Sequence, residues 1–127
     1  MKNLFLLCCV LVLFSCKKDN LNCTEFKIGK FEQLIEEVDT KINIERTIDG
    51  FQTESSKYGI SKYKLKWKSD CQFESELIET TIPFSKKNIG KKYNVEIIRI
   101  IDPKTYIYKC WVDGVDFVDS DTITKIN

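Results

Sequence analysis

Histidine is absent from this chain of 127 residues, methionine occurs once, proline twice and glycine five times. Without an imidazole no Ser-His-Asp or Cys-His arrangement can form, and most zinc sites lose their usual ligand. The five glycines compose no phosphate-cradling loop. Neither sign of charge is in excess: Lys and Arg number 20, Asp and Glu 19, and without Lys2 the two balance. No nucleic-acid partner is expected, because phosphate binding needs a basic excess gathered on one surface. The chain also lacks an apolar run of spanning length. Its longest, Leu4 to Phe14, is about half of the roughly twenty residues a transmembrane helix requires.

That run follows Met1-Lys2-Asn3 and stops abruptly at Ser15-Cys16-Lys17-Lys18-Asp19, the layout of an export signal with a charged start and a short apolar centre. Its closing residues, Leu13-Phe14-Ser15-Cys16, resemble the lipobox of bacterial lipoproteins. The resemblance implies that residues 1–15 are removed and that the Cys16 sulfur receives a diacylglycerol. Each buried methylene contributes about 0.8 kcal/mol, so two or three acyl chains hold a protein on a membrane without a spanning helix. Residues 16–23 then form the lipidated cysteine and a polar tether. Lys17 occupies the second mature position, unlike the Asp of an inner-membrane retention signal, and Lys17 to Asp19 is similar to the surface-export tether of Bacteroidota lipoproteins. The expected location is the cell envelope, anchored to the outer membrane on its periplasmic face or at the cell surface.

Removal of residues 1–15 from the 127 leaves 112, one domain with a single core, occupying residues 24–127 after the tether. Six cysteines sort by position. Cys8 and Cys9 leave with the signal, Cys16 carries lipid, and Cys23, Cys71 and Cys110 remain, so at most one intramolecular bridge can form. Cys23 and Cys71 are the preferred pair, each at an expected strand edge among polar residues. Cys110 lies within the apolar run Tyr106 to Val112 and reads as a buried free thiol.

From Phe26 onward, apolar and polar residues alternate with period two, the mark of half-buried strands. Ile42, Ile44 and Ile48 alternate with polar residues before the turn Asp49-Gly50, and Lys62 to Lys68 sets Tyr63, Leu65 and Trp67 on one face against four lysines on the other. Strands follow over residues 72–82, 93–101 and 106–112, with Ser85 to Lys92 as the longest loop and shorter apolar segments near 117–118 and 122–126. One segment competes: Phe31, Leu34, Ile35 and Val38 fall at helical spacing, so a short helix is expected near residues 32–38. The fold class is all-β, an antiparallel meander of seven to nine strands forming a small barrel or a twisted half-barrel.

The start Phe26-Lys27-Ile28-Gly29-Lys30-Phe31 resembles the Gly-x-aromatic opening strand of lipocalins and related calycins, which implies a barrel with an aromatic plug at its base. Most of the chain is also similar to small flavobacterial lipoproteins, through Cys23 to Phe31 and Trp67-Lys68-Ser69-Asp70-Cys71. Some sequences of that kind carry a DNA topoisomerase IV label, which a chain this short with no ATPase motif does not support.

The chemistry-bearing clusters are few. Asp113, Asp116, Asp119 and Asp121 do not fit a calcium loop, and no metal or cofactor is expected. Lys62, Lys64, Lys66 and Lys68 form a basic stripe that could meet lipid headgroups, glycans or a protein, or simply solvate an outer face. Tyr63, Trp67, Tyr93, Tyr106, Tyr108 and Trp111 either line a ligand cavity or fill the interior. The first expectation is a membrane-anchored, non-catalytic binding or interaction module, with Lys62, Lys64, Lys66, Lys68, Trp67 and Trp111 as its candidate surface. A lipocalin-like carrier of a small apolar ligand comes second and a carboxylate-based hydrolase third, the last requiring two inward carboxylates roughly 5 to 9 Å apart.

Overall fold

The computed structural model describes residues 21–127, so the expected export signal, the lipobox-like residues with Cys16 and most of the expected tether lie outside the described residues. Eight antiparallel strands follow one another around a closed barrel: β1 (Gly29–Ile35), β2 (Thr40–Arg46), β3 (Phe51–Ser56), β4 (Gly59–Trp67), β5 (Gln72–Thr80), β6 (Lys92–Asp102), β7 (Thr105–Trp111) and β8 (Val118–Lys125). Closure removes the free edges that an open meander would expose. It rests on β1 and β8, where Phe31 pairs with Lys125 and Glu32 with Thr124.

Alternation works as the composition suggests. On β4 the buried or half-buried Ser61, Tyr63, Leu65 and Trp67 share the inner face, while Lys64 and Lys66 are exposed. Curvature comes from irregularities in the ladder, at Lys62/Tyr63 between β4 and β5, and at Ile97/Arg99 and Ile100/Asp102 between β6 and β7. Each such offset bends its strand and helps it wrap.

Two expectations change. The helix near residues 32–38 is replaced by the second half of β1 and a single 3-10 turn at Glu36–Val38. The reason is tertiary: all seven residues of β1 pair with β2, from Gly29↔Arg46 to Ile35↔Thr40, and a helix would forfeit that ladder. Leu34 and Val38, half of the apparent helical stripe, are exposed instead. Ile48, read as part of an alternating strand, sits in the β2–β3 turn and is 88% exposed, because β2 ends at Arg46.

The two ends of the barrel differ. One is closed by the entering chain, where a 3-10 turn at Thr24–Phe26 tucks Phe26 beneath the strands. Phe26, Phe31, Ile44, Ile97, Tyr106 and Ile123 fill this half, with the Phe26 and Tyr106 rings 4.7 Å apart. The Cys23–Cys71 disulfide ties the same turn to the β4–β5 connection, and Trp67 packs on Phe73 at 4.6 Å beside it. The loops at the opposite end, residues 36–39, 57–58, 81–91 and 112–117, form a rim with Val38, Tyr58, Phe84, Ile89, Val115 and Phe117 exposed.

Candidate functional site

Packing of the closed end leaves the middle of the barrel unfilled. A cavity of about 170 Å³ lies above the aromatic floor, lined by side chains from all eight strands. Its apolar wall is Phe73, Val95 and Ile123. Its polar groups are Gln33 on β1, Arg46 on β2, Gln52 and Glu54 on β3, Ser75 on β5, and the hydroxyls of Tyr63, Tyr93 and Tyr108. Toward the rim, Glu54 and Tyr63 also line a second space of about 220 Å³ with Ile35, Ile42, Ile82 and Phe84. The two side chains thus stand where the inner chamber meets the outer one.

Arg46 is 2% exposed and lines the chamber. Its Nε donates to Gln52 Oε1 and its Nη1 to the Phe26 carbonyl, both at 2.8 Å. The guanidinium also rests over the rings of Phe31 at 4.7 Å, Phe73 at 5.1 Å and Tyr106 at 5.8 Å. Aromatic faces supply partial negative charge to a desolvated cation. Gln52, directly opposite Arg46 in the β2–β3 ladder, passes its amide on to Glu54 Oε1 at 2.8 Å. Arg46, Gln52 and Glu54 therefore form a relay across two strands, with an amide between the cation and the acid.

Burial raises the Glu54 pKa above the usual carboxylate value, and the opposing effects of the Gln52 hydrogen bond and the Arg46 charge are smaller. The accessible surface leaves Glu54 only half-buried because it borders the chamber, while its surroundings are still interior. Tyr63 is pushed well above the ordinary phenol value, first by burial and then by the charge of Glu54. Tyr108 is raised as well, chiefly by burial, although the bond from Gln33 opposes the shift. Gln33 Nε2 donates to the Tyr108 hydroxyl at 2.6 Å, which leaves the tyrosine hydrogen free to donate in turn.

Cys110 is free, half-buried and part of the chamber wall. Burial, with help from the charges of Asp119 and Glu54, raises its pKa. A thiol held protonated is a poor nucleophile and a poor metal ligand. No group of acids and cysteines suited to a metal occurs among the described residues, Asp113, Asp116, Asp119 and Asp121 included.

The residues singled out from sequence separate into three places. Tyr63, Tyr93 and Tyr108 line the chamber, Tyr106 belongs to the floor, and Trp67 packs near the closed end. Trp111 takes the opposite parity on β7 from Tyr106 and Tyr108, with Lys109 over its ring at 5.3 Å, so it is not part of the chamber. Lys62, Lys64 and Lys66 lie on the outer face, where the register sets them opposite Glu79, Glu76 and Glu74 of β5. The basic stripe is thereby flanked by an acidic one, and Lys68 sits exposed beyond the strand end. Arg46, Gln52 and Glu54 were not foreseen. Their signal is positional: Arg46 shares parity with Ile42 and Ile44, and the short turn carries that parity to Gln52 and Glu54.

No family model matches the chain, and neither a curated protein nor a solved structure is significantly similar to it. What the fold and site define is a closed eight-stranded antiparallel barrel with a plugged base and a polar-lined interior chamber.

Proposed function

We propose that this chain is a lipid-anchored envelope protein, without catalysis of its own, that binds a small molecule inside its barrel. The observation that carries the reading is the chamber above the floor, where hydrogen-bonding groups from several strands converge on an apolar wall. That combination of concave apolar surface and a few placed polar groups is the usual make-up of a ligand site. Glu54 is the one carboxyl among the lining residues, so the paired acids that hydrolysis would use are not assembled there.

The anchor fits this reading geometrically. The disulfide fastens Cys23 at the closed end, and the seven residue-to-residue steps from Cys16 to Cys23 reach at most about 25 Å. Acyl chains on Cys16 would hold the closed end toward the membrane and turn the rim away from it.

Backbone amide NMR with phenol, benzamide, benzoate and benzylamine as probes tests the site. Binding inside the barrel shifts the amides of Gln33, Gln52, Glu54, Tyr93 and Tyr108; shifts confined to Lys62, Lys64 and Lys66, or none, would reject it. A second reading, that the protein docks a partner through its mouth, is favoured by one observation, the rim of exposed Phe84, Ile89 and Phe117.

A further inference from the structure

We infer that the chamber is a site for a small monocarboxylate, held through its anionic head by Arg46, with a compact apolar body against Phe73, Val95 and Ile123. The inference rests on the chamber being a binding site and adds the class of ligand.

Its starting point is an imbalance of charge. Burying a guanidinium costs several kcal/mol unless a counter-charge or a full set of hydrogen bonds compensates it. Arg46 is almost wholly buried, yet among the described residues no carboxylate lies within salt-bridge distance of it. Its partners are an amide oxygen, a backbone carbonyl and three aromatic faces, all neutral. The nearest acid on the same wall, Glu54, is reached only through Gln52, and burial favours its uncharged form. The chamber thus presents a cation whose compensation is incomplete, and an anion entering it would complete the set.

Further donors point the same way. The Tyr108 hydroxyl accepts from Gln33 and keeps its own hydrogen for a ligand oxygen, and the Ser75 hydroxyl also lines the chamber. The fully buried Tyr106 hydroxyl makes no hydrogen bond of ordinary geometry among the described residues, although it stands close enough to the Arg46 guanidinium for that cation to oppose the rise in its pKa. Nε and one Nη1 hydrogen of Arg46 are already engaged, so its remaining Nη hydrogens are the ones left to meet a carboxylate, in charge-assisted bonds stronger than neutral ones.

Size sets the body of the ligand. A chamber of about 170 Å³ compares with dry protein cavities of about 150 Å³ that accept benzene. A carboxylate on one ring, or a branched acid of about ten non-hydrogen atoms, therefore fills the space. Longer tails would have to pass Glu54 and Tyr63 into the outer chamber.

The test is calorimetric titration of the mature lipidated protein in detergent micelles, with micelles alone as the blank. Benzoate, benzamide and benzylamine serve as anionic, neutral and cationic probes of one shape. Benzoate is expected to bind at least about tenfold more tightly than benzamide, the lower end of what a charge-assisted hydrogen bond contributes, and benzylamine is expected to bind least. Arg46→Met removes the guanidinium while keeping an unbranched apolar stem and should abolish the preference for benzoate, whereas Arg99→Met, which removes an exposed cation from β6, should leave it intact. The comparison of probes on the unaltered protein decides the matter even if Arg46→Met does not fold. Equal or tighter binding of benzamide would overturn the carboxylate inference while leaving the chamber a binding site. Failure of all three probes to bind would overturn the binding site itself.

Discussion

Reduction of the Cys23–Cys71 bond should cost the barrel about 4 kcal/mol, and the figure follows from its place in the chain. The two cysteines are 48 residues apart. Closing a loop of that length lowers the entropy of the unfolded chain by roughly 14 cal/mol/K, or about 4 kcal/mol at 25 °C. A single domain of this size typically has about 5 to 15 kcal/mol in hand, so the loss is a large fraction of the total. It corresponds to a fall in melting temperature of roughly 15 to 20 °C. The assay is scanning calorimetry on a chain beginning at Lys17, oxidised and after treatment with a phosphine reductant. Alkylation should count one reactive thiol per unfolded chain before reduction, from Cys110, and three after it. A shift below about 3 °C with all three thiols titrated would refute the reasoning. It would mean that packing of Phe26 against Tyr106 holds the closed end without the covalent tie.

Other changes have expected outcomes of their own. Because burial raises the Glu54 pKa, folding disfavours its ionised form, so its contribution is most favourable at acid pH and is lost as the pH climbs through the raised value. Glu54→Gln should therefore gain melting temperature over the unaltered protein as pH rises from 4 to 9; a gap that stays constant with pH would contradict this. Gly59 has φ of +140°, and a Cβ there would lie 2.5 Å from Thr81 Oγ1. Gly59→Ala should cost about 1 to 3 kcal/mol, and more than Gly114→Ala, where a Cβ meets nothing within 4 Å; equal thermal shifts for the two would refute the steric account. Cys16→Ala should leave an uncut precursor in the inner membrane, visible as a larger band on an immunoblot of membrane fractions. Normal processing of that variant would remove the lipid anchor from the account.

Much of the barrel is legible because parity on a strand survives from sequence to structure. Lys62 to Lys68 is the clearest case, with Leu65 buried and Lys64 and Lys66 exposed. Parity is a local rule and fails where partners decide. The spacing of Phe31, Leu34, Ile35 and Val38 suits a helix, but β1 is claimed by β2 along its whole length. The candidate site divides in the same way. Aromatic residues at inward positions announce a lining, so Tyr63, Tyr93 and Tyr108 are readable. Arg46, Gln52 and Glu54 are not, because on a half-buried strand a polar residue reads as solvent-facing. Their parity with Ile42 and Ile44 sets them on the inner face, and closure of all eight strands turns that face into an interior around the charge of Arg46. The basic stripe misleads for a related reason: its meaning depends on β5, whose Glu74, Glu76 and Glu79 lie opposite it only once the register is known.

The central claim is that the barrel holds a small ligand in its interior chamber. A crystal structure of the mature chain grown at saturating benzoate tests it most directly. The account predicts density for one probe molecule above Phe73, with its carboxylate within hydrogen-bond reach of Arg46 and Tyr108. A chamber collapsed onto its own side chains, or benzoate bound only on the outer face, would contradict it.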